Sequence, residues 1–134
     1  MLTNETNTQT NCTAVSAEAP QRYEIWTVSF PEGGAIGSCR PAIIVGTNED
    51  CGQVTVIPMT TKLCYKQKKT HVLVEGQGLT GAGRALGELV TSLPDSRLVR
   101  RIGYLSEPFD RFAVRHALAT HLGLSEAENY GYLC

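Results

Sequence analysis

The chain has 134 residues, of which 42% are hydrophobic and 13 are glycine, and its formal net charge is −1. This length suffices for one domain with a substantial hydrophobic core, and no apolar run of about 18 residues marks a transmembrane helix. Residues 1–20 lack the basic and apolar regions of a secretory signal, so we expect a soluble, cytoplasmic protein.

Three regions are predicted along the chain. Residues 1–20 are rich in Thr, Asn and Gln and carry too little apolar surface to repay ordering, which predicts a flexible polar tail. A folded domain is predicted over residues 21–124, followed by a polar C-terminal tail over residues 125–134. The first strand is predicted over residues 23–30, where aromatic, polar and aliphatic residues alternate with strong β propensity.

The most informative segment is residues 40–45, where an arginine and a proline lead into an aliphatic run. Pro41 favours an extended conformation at Arg40, and the apolar run without alternation predicts a strand buried on both faces. At the mouth of such a strand, Arg40 would offer a planar fork of donors to a phosphate or carboxylate. The alternative for Arg40 is a set of surface ion pairs at the end of a barrel. The glycine-rich loop over residues 31–38 leads into a strand, which argues against a P-loop or dinucleotide site.

The rest of the chain predicts four more strands and one helix. The strands are predicted over residues 53–60, 70–75, part of 84–92 and 97–105, with loops at residues 76–83 and a turn at residues 93–96. Pro58 implies a bulge or an edge position in its strand. The helix is predicted to begin after Ser106 as N-cap and to end at Gly123. Its sheet-covering face is predicted to be Phe109, Phe112, Ala113, Ala117, Leu118 and Leu122. Six antiparallel strands and one helix predict a mainly β fold, a small barrel or strongly bent sheet.

The charges, cysteines and histidines limit which ligands, nucleophiles and metal sites the chain can have. Residues 60–101 carry eight Lys and Arg residues against three Asp and Glu, which suits a polyanion, with a solvated face as the alternative. The five cysteines are odd in number and form no C-x-x-C pair, so we expect free thiols. A Cys39 thiolate beside Arg40 would be activated, but no histidine signature accompanies it. His116 and His121 lie on different helix faces, and we interpret His71 as a structural strand residue, so we expect no metal site.

Taken in order, these segments resemble the MazF/PemK family of toxins from type II toxin–antitoxin systems over about residues 21–124. The matching segments, with the family patterns, are residues 23–26 (GDIW), 40–45 (RPALVV), 55–62 (VIVAPLTSK), 70–72 (THV) and 96–98 with 102–105 (SRL…IGxL). The resemblance implies an SH3-like barrel of the MazF/PemK/CcdB type, a homodimer and a metal-independent endoribonuclease without a cofactor. It also implies single-stranded RNA as substrate and a cognate antitoxin whose C-terminal segment blocks the RNA groove.

By position, Arg40 matches the family's catalytic arginine and Thr60 its catalytic threonine, and we expect the two to meet at one end of the barrel. Considered alone, Thr60 is a strand-end hydroxyl that satisfies the backbone. Such a pair of donors can stabilise the charge that develops on a phosphate attacked by a 2′-hydroxyl, although no general base is identified. The candidate RNA-binding residues are Thr61, Lys62, Lys66, Lys68, Lys69, Arg84 and Glu88.

The chain also departs from the family pattern. Ala35 replaces a loop acid, Gly83 replaces a serine, and Leu89 stands in place of a glutamine. The alternative function is therefore a non-catalytic binding module, either a CcdB-like topoisomerase inhibitor or a toxin homologue that has lost activity. The two actions use the same barrel. A groove that holds Arg40 near Thr60 would favour the nuclease, whereas an apolar groove with Arg40 turned outward would favour the binding module.

Overall fold

The computed structural model describes residues 19–31, 39–62, 66–79 and 81–124. Within these residues the chain forms β1 (Glu24–Ser29), β2 (Cys39–Asn48), β3 (Gln53–Thr60), β4 (His71–Glu75), β5 (Ala82–Leu86), β6 (Thr91–Pro94), β7 (Leu98–Tyr104) and α1 (Pro108–Leu122). Two short 3₁₀ helices, Gly87–Leu89 and Asp95–Arg97, flank β6. The described part of the chain contains no helix long and apolar enough to cross a membrane. Residues 1–18 of the predicted N-terminal tail, the predicted C-terminal tail and residues 32–38 of the predicted loop lie outside the described residues.

The strands form one antiparallel sheet in the order β4-β5-β3-β2-β1-β7. The short strand β6 lies off this path and pairs with the first half of β3, from Gln53 to Val56, whereas Met59 and Thr60 at the end of β3 pair with β5. No ladder among the described strands joins β4 to β7. The mainly β fold with a C-terminal helix is therefore as predicted, and the sheet is strongly bent but is not a closed barrel.

The sheet carries a hydrophobic core on each face, and β2 contributes to both. Ile43 packs in the core that α1 covers, whereas Ala42 and Ile44 pack with Trp26 on the other face. All four side chains are at most 1% exposed. This confirms the predicted strand with two buried faces. Each large side chain buried in this way contributes roughly 1.5–3 kcal/mol relative to an exposed one.

The predicted number of strands is wrong, whereas the predicted position of Pro58 is confirmed. The predicted six strands are seven in the described residues, because Leu93 pairs with Val54 and makes residues 91–94 a strand. The predicted turn therefore gives way to β6. Pro58 is fully buried and pairs with Ala42 of β2, but neither the β6 ladder nor the β5 ladder reaches it on its other side, so it holds a local edge position, as predicted. Pro58 is tolerated because it lies in the gap between the β6 and β5 ladders, where a missing N–H costs least.

The helix also differs from its prediction. Its N-cap is Glu107 and not Ser106, and no side chain caps it. Phe109 and Phe112 are 77% and 55% exposed, and the buried helix residues are Val114 and Ala117. Its end at Gly123 agrees with the prediction, since this glycine has φ 74°, which favours glycine. The helix thus packs on the sheet through smaller side chains than the sequence pattern indicates.

A buried carboxylate joins β1 to β7. Glu24 is 5% exposed and accepts hydrogen bonds from the Trp26 indole (2.9 Å), the Gln21 backbone N–H (2.9 Å) and the Arg101 guanidinium (3.0 Å). Burial by itself raises the pKa of Glu24, but these three donors outweigh it, and the pKa lies below the ordinary value of 4.5. The ionised form is therefore the one that stabilises the fold.

Replacing Glu24 by glutamine is expected to lower the free energy of unfolding by about 1–2 kcal/mol at neutral pH, since charge-assisted hydrogen bonds are lost. Because the folded pKa is lowered, the contribution of Glu24 is complete above 4.5 and is lost as the pH falls through the folded pKa. Urea unfolding at about pH 7 and about pH 3 checks this, with the difference expected to shrink in acid. Glu49→Gln, at an exposed position, is the control and should leave the free energy of unfolding unchanged at both pH values. If Glu24→Gln lowers that free energy equally at about pH 7 and about pH 3, this account is contradicted.

Candidate functional site

A cavity of about 680 Å³ lies where β2 begins and β3 ends. β1, β2, β3 and β7 contribute to its wall, together with the turn that follows β4 and the first residues of β5. Its polar groups include Arg40, Thr60, Thr61 and Arg100, and its apolar side chains include Met59 and Leu79. This is a mixed lining, with cations and hydroxyls on one part of the wall and aliphatic carbon on another.

The strand register brings Arg40 and Thr60 together. Ala42 of β2 pairs with Pro58 of β3, and two residues further toward the cavity the strands reach Arg40 and Thr60. Residues two apart on a strand share a face, so both side chains extend the same row. The two residues predicted to meet at one end of the barrel thus line one cavity.

The hydroxyl of Thr60 is oriented by the chain that follows it. Its Oγ1 accepts a hydrogen bond from the Lys62 backbone N–H at 3.1 Å, in a turn typical of threonine. Because the oxygen acts as acceptor here, its O–H proton is left to donate to a ligand in the cavity. Thr60 therefore satisfies the backbone and offers a donor at the same time.

The other predicted RNA-binding residues are spread around this cavity. Thr61 lines it, whereas the lysines are exposed on the connection between β3 and β4 and form no part of its described wall: Lys62, Lys66, Lys68 and Lys69. Arg84 on β5 is in register with Thr60 but is only 7% exposed. It is thus buried and is not among the residues that line the cavity.

Glu88 belongs to a separate cluster at the far end of β4. Its carboxylate accepts hydrogen bonds from the Thr70 hydroxyl (2.8 Å) and from His71 Nε2 (2.9 Å). His71 Nδ1 accepts from the Lys68 backbone N–H, which places the ring proton on Nε2. Burial raises the pKa of Glu88, but the hydrogen bonds from His71 and Thr70 outweigh it and the net pKa is lowered. The cluster ties β4 to the 3₁₀ helix after β5, consistent with a structural role for His71.

Cys39 corrects the expectation of free thiols. It is disulfide-bonded and lines the cavity, whereas Cys51 is free and exposed. An odd number of cysteines and the absence of a C-x-x-C pair exclude only a local pairing, and a pair distant in sequence leaves no such signal. With its sulfur in a disulfide, Cys39 has no thiolate, and the activated nucleophile considered from the sequence does not form.

Two wall residues were not predicted from the sequence, Thr27 of β1 and Arg100 of β7. Their place in the wall depends on the pairing of distant strands, for which the local sequence carries no signal. Among the described residues, no group of three or more His, Cys, Asp or Glu side chains is placed to hold a metal ion.

Comparison with known proteins identifies the family of this arrangement. A family model described as PemK-like, MazF-like toxin of type II toxin–antitoxin system matches residues 21–121. No curated relative matches the chain significantly.

Several solved structures share the fold. An endoribonuclease in complex with its cognate antitoxin from Mycobacterial species is 24% identical, with a TM-score of 0.64 over 80% of this chain and 98% of that one. The Mycobacterium tuberculosis toxin MazF-mt6 is also 24% identical, with a TM-score of 0.63 over 76% and 98% of the two chains. MazF from Deinococcus radiodurans is 23% identical, with a TM-score of 0.64 over 79% and 98%. At these identities the likeness establishes the architecture, and the activity of this chain has to be argued from its own cavity.

Proposed function

Because the chain belongs to the PemK-like, MazF-like family of type II toxins, we propose that it is an endoribonuclease that cleaves single-stranded messenger RNA at short sequences. Arg40 and Thr60 are the proposed catalytic residues. The observation that carries the proposal is that both line one cavity, at the paired ends of β2 and β3. The mixed lining of the cavity, with Arg40 in its wall, supports the nuclease over a CcdB-like binding module, which an apolar groove would favour.

The proposed chemistry is attack of a ribose 2′-hydroxyl on the adjacent phosphorus. The new bond joins O2′ to phosphorus and the bond to O5′ breaks, which leaves a 2′,3′-cyclic phosphate and a 5′-hydroxyl. The proton released by the 2′-hydroxyl leaves with a base, and O5′ takes up a proton as it departs. Extra negative charge develops on the phosphoryl oxygens during this exchange, and donors fixed in place before the reaction stabilise it.

Arg40 and Thr60 supply donors of this kind. The Arg40 guanidinium is permanently charged and can donate two parallel hydrogen bonds to phosphoryl oxygens. It does not release its proton at neutral pH, so its proposed role is electrostatic. The Thr60 hydroxyl adds a third donor, oriented by the bond that it accepts from Lys62. The exposed lysines between β3 and β4 would attract the RNA backbone over a longer range.

We extend the proposal to the partners and location of the protein. A cognate antitoxin is proposed because the mycobacterial endoribonuclease with the same fold is in complex with one, and the Deinococcus toxin forms MazE–MazF complexes. A homodimer and a cytoplasmic location, where messenger RNA is available, complete the proposal. The reaction is proposed to need neither a metal ion nor a cofactor.

The proposal is tested by incubating purified protein with a long single-stranded RNA in EDTA and mapping the fragment ends. The wild type should give discrete fragments with 5′-hydroxyl ends. Thr60→Val removes the hydroxyl at nearly constant shape and should slow cleavage by about 10²-fold. Thr47→Val, at an exposed position on the far part of β2, should cleave at the wild-type rate. An intact RNA with wild-type protein would refute the nuclease and support the binding module.

A further inference from the structure

Arg100 lies on another strand than the proposed catalytic residues and lines the same cavity. Thr27 of β1 pairs with Pro41 of β2 on one side and with Arg100 of β7 on the other. Directly paired residues in antiparallel strands present their side chains on the same face. Thr27, Pro41 and Arg100 therefore form one row across three strands, and all three line the cavity.

The row sets the distance between the backbones of β7 and β2. Neighbouring strands lie about 4.8 Å apart, so the backbone of Arg100 is about 10 Å from that of β2, across β1. Arg40 immediately precedes Pro41 on β2, so its side chain starts from the other face of the strand and meets the cavity where β2 begins. Both arginines line the cavity, and a strand of RNA that fills it would pass close to both.

The charge of Arg100 is also uncompensated within the described part of the chain. Its side chain is exposed and forms no hydrogen bond or ion pair with another described residue. The adjacent Arg101 points to the opposite face and donates to the buried Glu24 at 3.0 Å. Two consecutive arginines thus have different surroundings, since side chains alternate along a strand. Arg101 holds the fold together, and Arg100 is left to meet an anion from solution.

We propose that Arg100 binds a phosphate of the RNA next to the scissile one and so fixes the position of the strand in the cavity. This inference rests on the proposed nuclease function, because it takes RNA as the anion. A guanidinium held by a strand binds phosphate through paired donors. As a contact made before and during the reaction alike, it lowers KM and leaves kcat nearly unchanged.

The test measures binding and cleavage separately. The binding probe is a fluorescent single-stranded pool of random sequence with 2′-O-methyl ribose throughout, which cannot be cleaved by 2′-hydroxyl attack. For full-length Arg100→Gln, Kd should rise about tenfold at moderate salt, and the slope of log K against log salt should fall by about 0.7. Arg100→Lys keeps the charge and should keep the slope. Arg22→Gln, which removes one exposed charge outside the cavity wall, should change Kd by less than about twofold.

The outcomes separate this inference from the proposed function. If the wild type cleaves RNA but Arg100→Gln matches Arg22→Gln in Kd, salt slope and KM, Arg100 is not an RNA contact and the nuclease proposal stands. If the wild type binds the pool without cleaving RNA, an Arg100→Gln effect supports the contact while the nuclease proposal fails. If the wild type neither binds nor cleaves, both are overturned. If Arg100→Gln weakens binding to an acidic protein partner but not to the RNA pool, Arg100 is not an RNA contact and the inference is overturned.

Discussion

Replacing Arg40 by alanine is expected to lower the rate of RNA cleavage by about 10²–10³-fold while leaving the fold intact. Arg40 is the charged donor at the open end of the β2–β3 ladder, and its loss leaves the developing charge on the phosphate without its strongest partner. The fold should survive because β2 is held by Ala42, Ile43 and Ile44, which are fully buried. Single-turnover cleavage of a short RNA and thermal unfolding together check the prediction.

Two further variants separate charge from geometry. Arg40→Lys keeps a positive charge but loses the planar fork, so its rate should lie between those of the wild type and Arg40→Ala. Arg22→Ala, an exposed arginine outside the cavity wall, should cleave normally. Cleavage by Arg40→Ala within about threefold of the wild-type rate would show that the reaction is not centred on Arg40.

The parts of the fold that the sequence predicts well are those specified by local chemistry. The strand over residues 53–60 has its predicted bounds because a turn precedes it and β-branched residues fill it. β6 could not be predicted, since Leu93 and Pro94 sit in a sequence typical of a turn and become a strand only through pairing with β3. The predicted helix face is right in part, since Ala113, Ala117 and Leu118 pack on the core, and wrong for its larger side chains. Gly87 and Ala117 meet at close range, so α1 approaches the sheet through small residues there, whereas Phe109 and Phe112 are exposed.

One backbone feature shows what a family pattern leaves out. Tyr23 stands where the family pattern has glycine, and its φ is 76°, a conformation in which glycine is unstrained. Such a residue costs roughly 1–3 kcal/mol and persists only when its surroundings hold it. Here the ring is 9% exposed, and the Arg111 guanidinium lies 4.8 Å from its centroid. Tertiary packing thus holds a conformation that the side chain itself disfavours.

The residues of the candidate site also differ in whether the sequence could predict them. Arg40 could be found because a proline follows it at the start of a strand, and both Arg40 and Thr60 match catalytic positions of the family that the sequence resembles. Arg100 could not be found, because its place in the wall follows from the register of β1 with β2 and β7. The disulfide at Cys39 likewise has no local signal in the sequence. Local chemistry predicts strand ends, and only the pairing of strands decides which ends meet.

Gly103→Ala is expected to destabilise the protein by at least about 1–3 kcal/mol and to disturb the cavity wall, because there is no room for a methyl group. A Cβ at residue 103 would lie 1.9 Å from the Gln77 carbonyl oxygen and 2.9 Å from the Gly78 Cα. These are backbone atoms, which no rotamer change can move aside. The turn after β4 would have to retreat from β7, and this turn carries Gly78 and Leu79 of the cavity wall.

The same turn is held at its other side by Gln77, whose side chain accepts from the Ser106 N–H (2.8 Å) and donates to Asp110 (3.0 Å). Retreat of the turn would strain these bonds, so stability and cleavage should fall together in Gly103→Ala. Gly46→Ala is the matched control, since it is also a strand glycine but its nearest neighbour would lie at an ordinary 3.8 Å. Urea unfolding and RNA cleavage compare the two variants. Equal free energies of unfolding for both would mean that the turn is not seated against β7, and the cavity would then lack the wall that positions RNA beside Arg40.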